Sequence, residues 1–195
     1  MKTIMQVPFN KPYFSGKEKS YIADVLNSGV ISNGGPFSDR CMEWFERELL
    51  VKKCLLTTSC TAALELSIRV LGIGSEDEVI LPSYTYVSTA NAVCMAGATP
   101  VFCNIDPITL NIDPASIKRN ITKRTKAVIP VHYGGQPCQM DEIVSICKEN
   151  NLFLIEDAAH ATGATYKNKF IGTLGSFGAL SFHETKNITC GQGGA

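Results

Sequence analysis

From residue 53 onward, short apolar runs alternate with amphipathic stretches. The runs at 54–57, 79–81, 100–105, 127–131 and 152–155 are mostly Val, Ile and Leu, without an inside–outside alternation, which suits strands covered on both faces. The stretches at 61–71, 89–96, 115–121 and 140–149 repeat apolar residues at helical spacing. This alternation predicts a three-layer α/β fold around a mainly parallel sheet. Two further runs, 165–170 and 179–183, read as strands with no helix between them.

Ahead of this region, Ser15-Gly16-Lys17-Glu18 has the pattern of a capping box, followed by Tyr21, Ile22, Val25 and Leu26 at helical spacing, with Gly29 as the stop. A glycine-rich turn, Asn33-Gly34-Gly35-Pro36, leads to a second helix with Phe37, Cys41, Phe45 and Leu49 on one stripe. These two helices read as an N-terminal arm. The chain has no internal repeat or linker, so its 195 residues are treated as one unit.

Lysine plus arginine (18) equal aspartate plus glutamate (18), so no basic field is available for nucleic acid and the expected ligand is a small molecule. The cysteines Cys41, Cys54, Cys60, Cys94, Cys103, Cys138, Cys147 and Cys190 are scattered singly, with no C-x-x-C pair. They read as reduced, mostly buried apolar residues rather than a disulfide framework or zinc site. Residues 1–12 lack an apolar core of signal-peptide length, and no run approaches the ~18 apolar residues of a membrane span, so the expected location is the cytoplasm.

Ligands of open α/β sheets sit at the carboxyl ends of the strands, and four such ends carry distinctive chemistry. Thr57-Thr58-Ser59-Cys60-Thr61-Ala62-Ala63 runs small hydroxyl residues into a helix start, which suits a phosphate and equally suits ordinary capping. Tyr84 and Tyr86 follow the next strand; either ring can stack on a planar ligand, although packing on the helix below is the simpler reading. Glu156 and Asp157 end the 152–155 run, where two buried carboxyls call for compensation by a cation such as a protonated pyridine, or for a capping role. His160 has no metal-ligand spacing to His132 or His183, so no metal site is expected. Lys186 follows the apolar run at 179–183; in a partly dry cavity its amine falls below the usual value of about 10.4 and becomes a nucleophile, whereas at the surface it merely snorkels.

Residues 58–66, 82–92, Asn111-Ile112-Asp113, 130–134, 156–161 and the heptad Ser181-Phe182-His183-Glu184-Thr185-Lys186-Asn187 together resemble the DegT-type sugar aminotransferases, pyridoxal-phosphate (PLP) enzymes of the type I aminotransferase fold. The heptad is most similar to transaminases that make TDP-4-amino-4,6-dideoxygalactose for bacterial surface polysaccharide. The resemblance implies that residues 1–195 form an N-terminal arm and most of a PLP-binding large domain truncated after the cofactor lysine, without the C-terminal small domain. It implies that Lys186 carries the cofactor and moves protons, that Asp157 pairs with the pyridine nitrogen, and that Thr61, the Ala62 backbone and Ser181 hold the phosphate. Tyr86 takes the position that stacks on the ring and His160 the position that contacts the ring oxygen. The implied reaction moves an amino group from glutamate to a nucleotide-linked 4-keto-6-deoxy sugar in a homodimer with shared sites. Transfer to a 3-keto sugar, and an inactive fragment of such an enzyme, stay open. Family dehydratases replace the lysine, so Lys186 argues for transamination over dehydration.

Overall fold

The computed structural model describes residues 7–32 and 34–195; Met1 to Gln6 of the polar N-terminus and Asn33 of the glycine-rich turn lie outside the described residues. The arm is α1 (Glu18–Ser28) and α2 (Pro36–Leu49), and the alternating region supplies α3 (Cys60–Val70), β1 (Glu78–Pro82), α4 (Ser88–Met95), β2 (Thr99–Cys103), α5 (Pro114–Asn120), β3 (Thr125–Val128), α6 (Met140–Glu149) and β4 (Phe153–Asp157). They are followed by β5 (Thr165–Tyr166), β6 (Lys169–Phe170) and β7 (Phe177–Ala179). Five strands form one sheet in the order β2-β1-β3-β4-β7, with every neighbouring pair parallel.

Successive side chains on a strand point to opposite faces, and that rule divides the core in two. Val79, Leu81, Ala127, Ile129 and Ile155 pack with Ala63, Leu64 and Ile68 of α3 and Ala92 and Val93 of α4. The intervening Ile80, Val128 and Leu154 pack with Ile117 of α5 and Met140, Ile143 and Ile146 of α6. The result is the expected three-layer arrangement. Each fully buried Leu or Ile contributes about 1.5–3 kcal/mol through removal from water, so the two cores hold the layers in register.

The helix starts follow local chemistry. Ser59 Oγ accepts from the Ala62 amide at 3.1 Å, and Asp113 accepts from the Ala115 and Ser116 amides at 2.9 and 3.1 Å ahead of Pro114. Gly29 ends α1 in the left-handed region at φ 72°, as its position suggests. The Ser15–Glu18 box forms by half: Glu18 Oε1 accepts from the Ser15 amide, but Ser15 Oγ donates to Glu18 instead of capping the helix. All eight cysteines are free; Cys54, Cys60, Cys103, Cys138 and Cys147 are buried. Among the described residues no helix is long and apolar enough to cross a membrane.

Three expectations about strands are corrected. The run at 54–57 is not a strand: only Thr57 pairs, through reciprocal bonds of 2.8 and 3.0 Å with Gly194. The run at 165–170 is a hairpin, because Lys167 and Asn168 both take positive φ (48° and 64°) and reverse the chain between β5 and β6. The run at 179–183 starts earlier, since β7 pairs with β4 over Phe177–Ala179, and beyond it Ser181 bridges only to Gly194.

At the end of β4 the alternation places Glu156 and Asp157 on opposite faces. Glu156 is fully buried, and its Oε1 accepts from the Leu174 and Gly175 amides at 2.6 and 2.8 Å. Its Oε2 accepts from the Gly172 amide at 3.0 Å and from His132 Nε2 at 3.2 Å. His132 Nδ1 accepts from the Cys138 amide at 3.1 Å, so the ring hydrogen sits on Nε2 and points at Glu156. One carboxyl thus joins β4, the loop after β3 and the segment before β7. Glu156→Ala strands four donors, the buried His132 and three part-buried amides, and we expect it to lower unfolding stability by about 3 kcal/mol or more in urea titrations, whereas a loss near zero contradicts this role.

Candidate functional site

The face opposite Glu156 gathers the remaining chemistry, where the carboxyl ends of the strands meet the starts of α3 and α4. Asp157 is buried, with 4% of its surface exposed. Its Oδ2 accepts from the Thr89 hydroxyl at 2.8 Å, and its Oδ1 accepts from the Ala159 amide at 3.2 Å with Cys60 Sγ at 3.9 Å. The Thr89 hydroxyl donates to Asp157 and so accepts from Thr85 Oγ1, 2.8 Å away. Asp157 is therefore aimed by α4 and held by the turn after β4.

The two carboxyls at this strand end thus have different surroundings. Protein donors fully satisfy Glu156, and no cation is needed there. Only Asp157 turns to the face that carries Lys186.

Lys186 is half-buried in the loop after Ser181, its amide donating to His183 O at 2.9 Å and the next residue, Asn187, donating from Nδ2 to Thr162 O at 2.7 Å. Burial lowers its amine below the ordinary lysine value, opposed by the charge of Asp157. The Cys60 thiol is pushed up by burial first and then by Asp157, so it stays protonated and packs as a small apolar group. His160 is lowered by burial, then by Lys186, against the pull of Asp157. These mutual influences bring Lys186, Asp157, Cys60 and His160 into one electrostatic neighbourhood.

At the start of α3, Ser59 Oγ occupies the Ala62 amide, while the Cys60 and Thr61 amides and the Thr61 hydroxyl have no acceptor or donor among the described residues. Ser181 lies beside this helix start: it bridges to Gly194, and a methyl group on Gly194 would collide with the Ser59–Cys60 peptide. Tyr86 precedes α4, 73% exposed, with its ring open to the solvent side. His160 Nδ1 accepts from the Gly134 amide at 3.1 Å.

Of the residues singled out from the sequence, Lys186, Asp157 and His160 converge, Thr61 and Ser181 flank the α3 start, Ala62 is engaged by Ser59, and Tyr86 stands at the rim. Thr89, Thr85 and Gly134 went unrecognised. The signal for Thr89 was a hydroxyl residue on the same face of α4 as Ala92 and Val93. A groove of about 710 Å³ lies elsewhere, along α2, α3 and β7, and none of these converging residues lines it.

The model of the DegT/DnrJ/EryC1/StrS aminotransferase family matches residues 12–195. The chain belongs to this family. DegT-family relatives include the spore coat polysaccharide biosynthesis protein SpsC of Bacillus subtilis, 44% identical over 96% of this chain and 48% of its own length. The GDP-perosamine synthase of Caulobacter vibrioides is 41% identical over 100% of this chain and 52% of its own. The chain therefore spans about half the length of the curated relatives it matches. Among solved structures, the PLP form of a proposed sugar aminotransferase from Streptococcus pneumoniae superposes with a TM-score of 0.94 at 32% identity, covering 97% of this chain and 52% of that one. DesI, solved in the presence of its TDP-sugar product, superposes at 0.87 with 36% identity, covering 95% of this chain and 46% of that one. The fold is thus that of the type I PLP-dependent aminotransferases.

The lowered basicity of Lys186 has a readable consequence. Competitive labelling with an amine-selective acylating reagent, read by mass spectrometry across pH, should give Lys186 a midpoint below the ordinary lysine value. Asp157→Asn removes a charge that favours the ammonium and should move that midpoint further down; an unchanged or higher midpoint contradicts the electrostatic coupling. Because the depressed pKa lets the unfolded chain bind more protons, this group adds stability as pH rises through the window between the folded and unfolded values.

Proposed function

We propose that this polypeptide provides the cofactor-binding part of a PLP-dependent sugar aminotransferase, moving an amino group from glutamate to a nucleotide-linked 4-keto-6-deoxy sugar. The observation that carries this reading is the convergence of a lysine of lowered basicity with a buried, pre-aimed carboxyl beside a helix start that has spare donors. That donor set fits the cofactor: an amine for its aldehyde, a carboxyl for its ring nitrogen, and amides with hydroxyls for its phosphate.

Lys186 would hold the cofactor through its amine, and the same amine, when free, would hold or release a proton at Nζ. Asp157, fixed by Thr89 and the Ala159 amide, pairs with the ring nitrogen. Thr61, through its amide and hydroxyl, takes the phosphate with the Cys60 amide and Ser181; the Ala62 backbone joins them only if Ser59 lets go. Tyr86 would stack on the ring and His160 would donate to the ring oxygen. Bound in this setting, the cationic pyridine supplies an electron sink for the C–H bond that breaks.

Relatives support the nucleotide-sugar class, since a GDP-perosamine synthase and a DesI structure with TDP-sugar product are both among them. The choice of TDP-4-amino-4,6-dideoxygalactose as product rests on the heptad ending in Lys186-Asn187. Homodimer formation belongs to the same proposal: α1 buries none of its residues and leaves Tyr21, Ile22 and Leu26 exposed, an apolar surface suited to a second subunit. The test supplies PLP and glutamate and measures 2-oxoglutarate, followed by amino transfer to TDP- and GDP-linked 4-keto-6-deoxy sugars. We expect release that disappears in Lys186→Ala, with the TDP sugar preferred; equal release from both proteins refutes the assignment.

A further inference from the structure

The loop after β3 is built against His160. Gly134 donates its amide to His160 Nδ1 at 3.1 Å, which makes Nδ1 the acceptor and leaves the ring hydrogen on Nε2. Nε2 itself has no partner among the described residues. The Tyr133 ring meets the imidazole edge-on, with centroids 5.3 Å apart and planes at 75°. Tyr133 is held in turn by Tyr84: their hydroxyls are 3.0 Å apart and their rings 4.6 Å.

The same loop is secured from behind. The His132 amide donates to Asp157 O at 3.1 Å, and the His132 side chain is locked to Glu156 and the Cys138 amide. The Tyr133 amide donates to Asn111 Oδ1 at 3.0 Å, while Asn111 Nδ2 returns a bond to Gln136 O at 3.0 Å. Gly134 and Gly135 adopt φ of 61° and 83°, and a methyl group on Gly135 would come within 3.0 Å of His160 O. Gly135 therefore lets the loop backbone approach the histidine as a larger residue could not, while Gly134 takes its left-handed conformation without strain.

We propose that Gly134 and Tyr133 are positioning residues that hold His160 as its Nε2–H tautomer, a preset hydrogen-bond donor for the ligand bound by Lys186 and Asp157. Without such a contact a neutral imidazole divides between two tautomers, and only one offers a donor at Nε2. The Gly134 amide selects the tautomer, and the Tyr133 ring fixes the imidazole plane so that the amide and Nδ1 stay aligned. This inference rests on the assignment of His160 to the cofactor's ring oxygen, but its structural core is testable without cofactor.

The experiment is a long-range proton–nitrogen correlation spectrum of the imidazoles in the cofactor-free 195-residue chain, with the His160 signals identified from His160→Gln. We expect an unprotonated Nδ1 and a protonated Nε2 at His160; the opposite tautomer or an averaged mixture overturns the proposal. Tyr133→Phe keeps the ring and should keep the tautomer. Tyr133→Leu should produce a mixture at His160 while His132, whose tautomer is set by Cys138 and Glu156, stays unchanged and reports intact folding. That variant should also weaken PLP binding about threefold to tenfold, the worth of one hydrogen bond. A Tyr133→Leu protein with an unaltered His160 tautomer removes Tyr133 from the positioning role. A wild-type chain that shows the Nε2–H tautomer yet binds no PLP refutes the functional reading and leaves the tautomer assignment standing.

Discussion

The arrangement depends on the alternation of side chains at the end of β4. A strand must send consecutive residues to opposite faces, so the acidic pair Glu156-Asp157 cannot act together. The residue facing α5 and α6 becomes a structural anchor, because a carboxyl without water needs a full set of donors. Three backbone amides and His132 supply them, and in doing so tie down the segment before β7 and the loop after β3. The residue facing α3 and α4 keeps the Thr89 hydroxyl, the Ala159 amide and the more distant Cys60 thiol, and shares an electrostatic neighbourhood with Lys186. The anchor thus holds in place the loops that shape the site on the other face.

On that face electrostatics and desolvation oppose each other in a useful way. Burial lowers both Lys186 and His160, while Asp157 pulls both back toward their charged forms. Cys60, which stands nearest to Asp157 at the start of α3, is kept protonated by its own burial and brings no competing charge. The site therefore presents one amine, one carboxyl and one imidazole, each set by a different neighbour. The start of α3 adds spare backbone donors at the positive end of a helix, a natural seat for a phosphate.

Much of this was readable in the residues. The buried runs and amphipathic stretches predict the parallel strands and the helices between them, since β-branched runs and helical spacing report burial directly, and the 140–149 helix appears with the expected bounds. The hairpin at β5 and β6 was not legible, because Lys167-Asn168 lacks the glycine that usually marks such a turn. The run at 54–57 looked like a strand because its side chains are mostly apolar, but pairing is a property of neighbours, and among the described residues only Thr57 pairs, with Gly194. At the site, Lys186 and Asp157 stood out through chemistry at strand ends. Thr89, Gly134 and Ser59 did not, because their roles lie in which backbone or carboxyl they meet across the fold, and sequence spacing carries no such information.

The central proposal is that this fold sets Lys186 apart from the other lysines of the described residues as the one that reacts with PLP, opposite Asp157. The direct measurement is borohydride reduction of the chain mixed with PLP, followed by peptide mass mapping of the added pyridoxyl group. The account predicts a single modified site at Lys186, lost when Lys186 is replaced by alanine and diminished in Asp157→Ala. Label spread over exposed lysines such as Lys17, Lys52 and Lys118, with none preferred at Lys186, contradicts it.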